Sequence, residues 1–378
     1  MELNDRFGLL HKASSLVESA LARAETEEEL DRISAAAGEA LGRSLTDAGP
    51  LFAQSLRDRA EEMLQEHAEY RRSFEGHLEA TWGKALNAYY SLYIACVETG
   101  EDFNSVQRPM AAVENDLLFE ALTGLHGRCC RVASEVFALL RTGHPAGAMA
   151  RWRTMHECSV YAAVLGQYGR SIEMVDLAER YVLHDVMINL KDAQDYQRYA
   201  KQLGFESFSE DEVTDMRRWA KALLVRFGDD YGKQYGWARP LFPGKGLIQF
   251  PDLERAANLD HLRPYYGMAN HDVHADSKGA RLNRLSFRGG QLLLVGPTNA
   301  GLADPGQSAA ISLLQTTLEL VLHGRPSLSD VSDVMIMKAL SELCRDVCDE
   351  FIAAHEKLEA EEAAVQAELG LNPPQTSS

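Results

Sequence analysis

Between Pro50 and Gly100 the apolar residues Phe52, Leu56, Met63, Tyr70, Phe74, Trp82, Tyr89 and Cys96 recur at intervals built from three- and four-residue steps. That spacing places side chains on one face of an α-helix. Gly49-Pro50 opens the stretch, where a proline suits a first helical turn because its missing N–H is no loss there, and Thr99-Gly100 closes it. The pattern predicts one very long helix. Its stripe is narrow, as in a bundle or coiled-coil arm. Residues 1–45 are rich in Ala, Leu and Glu and nearly free of breakers, which also favours helix. Residues 1–105 therefore read as an N-terminal helical hairpin or arm.

The same period continues downstream. Helices are predicted from Pro109 to His144-Pro145, from Pro145 to about Gly166, over 170–203, from Asp211 to Arg226, over 252–259 and 261–277, over 306–323, and from Ser329 to about Glu362. Residues 227–251 carry many Gly and Pro and read as a long irregular segment, a kind that is often functional or mobile. Leu285–Arg288 and Gln291–Val295 flank Gly289-Gly290 and form the one good hairpin signal. The expected fold is mainly α: a multi-helix bundle with a long N-terminal helical arm and one small β-hairpin near 285–295. A helical core domain would span 106–345. Residues 346–378 would hold the end of the last helix and a disordered tail.

Composition narrows the function classes. A net charge of −18 opposes broad nucleic-acid or anionic-membrane binding, although a local basic patch is compatible with it. No run of 18 apolar residues predicts a membrane span. The N-terminus lacks a basic start followed by an apolar run, so it does not read as a signal peptide. The six cysteines form neither a disulfide framework nor a C-x2-C zinc pattern, and read as free buried thiols. These features point to a cytoplasmic protein. No cofactor and no resident metal are expected.

Two polar clusters interrupt the apolar helices. The first is Arg153-Thr-Met-His156-Glu157. Its three polar residues share a helix face flanked by Met149, Trp152, Val160 and Val164. The second is Asn270-His271-Asp272-Val-His274-Ala-Asp276, with Asn270 and His274 four apart and Tyr266 on their face. Buried groups of this kind are costly unless they satisfy one another, so the two clusters are expected to meet. Arg153, His156, Glu157, Asn270, His271 and His274 are the candidate catalytic residues. A third polar spot, Arg180 and His184, reads as helix-surface or interface chemistry.

The run from Ala150 to Tyr161, followed by Ala178-Glu-Arg180-Tyr181 and by Tyr266–Ser277, resembles a bacterial family known as domain-of-unknown-function family 5677, over roughly residues 115–325. The resemblance implies a mostly helical domain with no settled activity. It marks Arg153, Glu157 and His274 as the polar centre.

Three functions compete on these residues. The first is a helical interaction module, in a defence or stress context, whose buried Arg/Glu/His cluster is a structural lock. Its N-terminal helices would make a homo-oligomeric or protein-partner contact. The second is a metal-independent ribonuclease similar to the HEPN toxins. There Arg151 and His156 fit the expected Arg–His spacing, as do Arg6/His11 and Arg255/His261, and Arg153 would stabilise phosphate charge while His274 moves a proton. RNA would be the partner in that case alone. The third is a metal-dependent phosphohydrolase resembling the HD superfamily, drawing on His156, His184-Asp185 and Asp272 or Asp276.

Overall fold

The computed structural model describes residues 26–275, 277–279, 284–287, 290–324 and 331–368, together with Ser19 and Ala22. Among these residues the chain is mainly α-helical, and it divides into two compact units, Met1–Phe74 and Glu75–Ser378.

In the first unit, helix α1 (Glu27–Asp58) starts at Thr26, whose hydroxyl accepts from the Glu29 amide at 3.2 Å. Glu27, Glu28 and Glu29 occupy its first turn, where negative charge complements the helix dipole. Pro50 lies inside α1 and does not open the next helix, contrary to the expectation from sequence. The break comes at Arg59, and α2 (Ala60–Glu114) follows at once.

Helix α2 also runs through Gly100 and Pro109, the residues expected to end one helix and start another. Gly100 is a close-approach position: an added Cβ there would collide with the His126 imidazole. The real stop is Asn115, whose φ of 51° is left-handed. Asp116 then caps α3 (Leu117–Arg141) by accepting from the amides of Leu118 at 3.1 Å and Phe119 at 3.0 Å.

The core of the second unit is built on α3, α4 (Pro145–Tyr168) and α10 (Ala303–His323), each packed on the other two, with α11 (Val331–Glu368) against α10. The C-terminal half of α2 joins them through aromatic contacts: Trp82 meets Phe351, Tyr89 stacks on Phe137 and Phe103 meets Phe119. Buried hydrogen bonds tie the layers. Tyr89 Oη donates to the Ala133 carbonyl at 3.0 Å, and Trp152 Nε1 donates to Ser312 Oγ at 2.9 Å. Trp82, Trp152, Tyr89 and Phe351 are almost wholly withdrawn from solvent. Each contributes about 1.5–3 kcal/mol or more through burial. Alanines, serines and glycine on the inner face of α10 allow close approach: Gly306 has the Phe351 ring where a Cβ would stand.

A second layer lies on this core. It comprises α5 (Leu177–Leu183), α6 (Asp185–Leu203), α7 (Glu210–Phe227), α8 (Phe250–Ala256) and α9 (Arg263–Val273). Gly204, in the left-handed region at φ 71°, ends α6, and Ser209 with Glu212 forms a capping box at the start of α7. The Gly/Pro-rich stretch between α7 and α8 is organised by two short 3-10 turns, Asp229–Gly232 and Gly236–Leu241. Helices α8 and α9 both pack on α4. Helix α9 ends at Val273, four residues short of the sequence expectation, so His274 is an extended C-cap residue and not part of the helix.

Strands β1 (Arg284–Phe287) and β2 (Gly290–Leu293) pair antiparallel, Arg284 opposite Leu293 and Phe287 opposite Gly290. Gly289, expected in the turn, lies outside the described residues, as do Asp276 and the tail 369–378.

Candidate functional site

Helix α4 supplies the first cluster. Its inner face carries Trp152, His156 and Ser159, all fully buried, while Arg153 and Glu157 stand one step round, half-buried. Because α8 and α9 lie across this part of α4, their polar residues meet those of α4 directly.

Two linked arrangements result. In the first, Arg153 Nη2 donates to the Tyr266 hydroxyl at 2.8 Å, and that hydroxyl donates to Glu157 Oε1 at 2.6 Å. The Arg153 guanidinium also lies 4.5 Å from the centre of the Tyr266 ring, and the Arg263 guanidinium 5.3 Å from it, both within cation–π range. In the second, His156 Nε2 lies 3.0 Å from Glu254 Oε1, and Arg263 Nη1 donates to Glu254 Oε2 at 3.0 Å. His156 and Glu254 are both 0% exposed. The other ring nitrogen, Nδ1, is buried with no hydrogen-bond partner among the described residues. Phe250, Trp152 and Tyr266 surround the imidazole with ring centroids 5.4–5.8 Å away.

The surroundings fix protonation. The Tyr266 phenol is raised well above its usual range, first by burial and then by the hydrogen bond to Glu157 and the charge of Glu157, with Arg153 opposing. Tyr161 and Tyr235 are raised too, burial again leading. These phenols keep their protons. Tyr266 is a fixed donor, not a latent nucleophile.

The first cluster therefore meets α9 at Tyr266, and no member of the second cluster bonds to it among the described residues. Arg153, His156 and Glu157 enter the network. Asn270 is half-buried, and its carbonyl accepts the His274 amide at 2.9 Å. His274 is exposed at the end of α9, and among the described residues no hydrogen bond joins it to Glu157. The reason is the early end of α9, which leaves His274 in extended backbone off the helix face it was expected to share with Asn270.

His271 and Asp272 face elsewhere. They border a cavity of about 250 Å³ that is also lined by Met149, Met268, Lys278 and Asp304. Asp272 is raised from the usual carboxylate range by burial, with His271 opposing.

Glu254 and Arg263 had no place in the sequence-derived site, although Glu254 left a signal. It stands four residues after Phe250 and next to Leu253, a charged residue on the apolar side of a short helix.

The remaining candidates are engaged separately. Arg151 pairs with Glu135 at 2.6 Å, while Arg255 pairs with Asp252. Arg6 and His11 lie outside the described residues. Arg180 Nε donates to Asp176 at 2.7 Å, and its guanidinium lies 4.4 Å from the centre of the Phe227 ring. His184 is buried with Nε2 between the carbonyls of Tyr231 at 3.1 Å and Lys233 at 3.0 Å, and burial lowers its basicity. The histidines of the phosphohydrolase scheme thus bond to different partners. Among the described residues no group of three His, Cys, Asp or Glu side chains is arranged to hold a metal ion. The six cysteines are free thiols, five of them buried.

Fold and site together define a mainly α-helical protein whose polar centre is a hydrogen-bonded network between three helices. Residues 119–291 match the model of a family of unknown function, DUF5677, and the chain is similar to that family over α3 to β2, a stretch that includes every member of the network. No curated protein and no solved structure matches the chain. No helix among the described residues is long and apolar enough to cross a membrane.

Proposed function

We propose that this chain is a non-catalytic helical interaction module of the cytoplasm. The Arg153/His156/Glu157 cluster locks α8 and α9 onto α4, and the N-terminal helices make the contact with a second copy or a protein partner. The observation that carries the reading is the His156–Glu254 pair, 0% exposed on both sides. A proton-transfer group has to reach its substrate. This imidazole is enclosed by Trp152, Phe250 and Tyr266, and its one bonded nitrogen is held by Glu254. In the outer half of the network the Tyr266 hydroxyl is bonded both to Arg153 and to Glu157, which ties α9 to α4. A partner-binding role for the N-terminal helices is supported by Leu51, Leu64 and Tyr70, which are 73%, 67% and 76% exposed. Large apolar side chains left at a surface lose water-exposed area when a protein partner covers them.

Two measurements on the full-length protein test this. Light scattering should give an oligomer, or affinity capture one defined protein partner, and Leu64→Asp with Tyr70→Asp should abolish either. Incubation with RNA and with nucleoside phosphates should give no turnover. Cleavage that disappears in Arg153→Ala or His274→Ala protein would refute the non-catalytic reading. A strictly monomeric, partnerless protein would refute the interaction role.

A further inference from the structure

The cavity beside α9 has a lining that the interhelical lock does not use. Met149 of α4, Met268 of α9 and Pro305 of α10 give it apolar walls. Asp272 and Lys278 border it with opposite charges, and His271 and Asp304 also contribute to the lining. Its volume of about 250 Å³ exceeds the roughly 150 Å³ that suffices for a benzene ring. It is below the roughly 300–1,000 Å³ of sites for drug-sized ligands. The occupant it fits is thus small and largely apolar, with groups of both charge signs to meet Asp272 and Lys278.

We propose that this cavity binds a free α-amino acid with an apolar side chain. The side chain lies between Met149, Met268 and Pro305, the ammonium pairs with Asp272, and the carboxylate pairs with Lys278. A plain hydrocarbon would gain no attraction from either charged group, and a simple amine or a simple acid would gain it from one. The site draws on α4, α9 and α10 at once, so an occupant fastens the three together. Ligand binding to the folded state alone raises the unfolding midpoint with concentration.

Full-length protein titrated with L-phenylalanine and L-leucine at millimolar concentration tests the proposal, with calorimetry and thermal unfolding as readouts. Saturable binding and a rising midpoint are expected for at least one of the two. Phenylacetate, which lacks the ammonium, and phenethylamine, which lacks the carboxylate, should each bind at least about tenfold more weakly. Asp272→Asn and Lys278→Met, both at exposed positions, should each weaken amino-acid binding by about tenfold or more. Met268→Trp, at a side chain already 55% exposed, should fill the cavity and abolish binding while the protein stays folded. Absence of binding by either amino acid would overturn the proposal. So would equal binding of either analogue, or binding undiminished in the Asp272→Asn/Lys278→Met double variant. None of these results bears on the His156–Glu254 lock, which is read separately from RNA and nucleotide turnover.

Discussion

Tyr266 of α9 donates its hydroxyl proton to Glu157 of α4 at 2.6 Å while accepting from Arg153 at 2.8 Å, so a single phenol oxygen closes the contact between the two helices. Removing it in Tyr266→Phe leaves the ring in place and deletes both bonds. The expected loss is about 1–3 kcal/mol of unfolding free energy in urea. A double-mutant cycle with Glu157→Gln should show a coupling above about 0.5 kcal/mol. Strict additivity would mean that the pair carries no interaction energy.

The inner pair makes a sharper demand. Glu254 is wholly buried, and among the described residues its carboxylate meets two side chains, His156 and Arg263. Arg263→Met leaves the carboxylate with an imidazole alone, and should cost about 3 kcal/mol or more. Arg151→Met breaks an ion pair with Glu135 whose side chains are 39% and 42% exposed, and should cost less than about 1 kcal/mol. Equal denaturation midpoints for the two variants would contradict the assignment of the buried network.

Two glycines of α2 should respond oppositely to alanine. Among the described residues nothing lies within 4 Å of a Cβ added at Gly76, so Gly76→Ala should stabilise by up to about 1 kcal/mol through helix propensity. At Gly100 the same Cβ runs into the His126 ring, which is itself held by Thr317 at 3.1 Å. Gly100→Ala should destabilise by about 1–3 kcal/mol despite the propensity gain. Thermal unfolding of the two variants side by side checks the contrast.

The α4–α10 contact should be pH-sensitive through Glu319. Burial raises its carboxyl from 4.5 to about 7. A raised pKa contributes stability that is fully present below about 4.5 and is lost as pH rises through about 7. His323 lies 3.4 Å away, and burial followed by the charge of Arg170 lowers it below 6.5. Its stability contribution is present above that value and is lost as pH falls, so the two groups oppose one another. Glu319→Gln removes the first effect. The variant should gain on the wild type as pH rises from 4.5 to 7, by at most about 2–3 kcal/mol. Unfolding curves with a constant separation across that range would exclude the effect.

Much of this was written locally. The helical class, the span of α4 from Pro145 and the cap at Gly204 follow from spacing and from proline and glycine placement. Tertiary structure decided where the long helices break and who bonds to whom. Pro50, Gly100 and Pro109 look like punctuation, but the breaks fall at Arg59 and Asn115. Gly100 marks a tight crossing with His126, not an end. His274 resembles a site residue in the sequence, yet α9 ends before it, and Glu254 with Arg263 takes the place beside His156. Helix formation depends on neighbours a few positions away. The pairing of a buried charge depends on which distant helix covers it, and only the packing of α8 and α9 on α4 determines that.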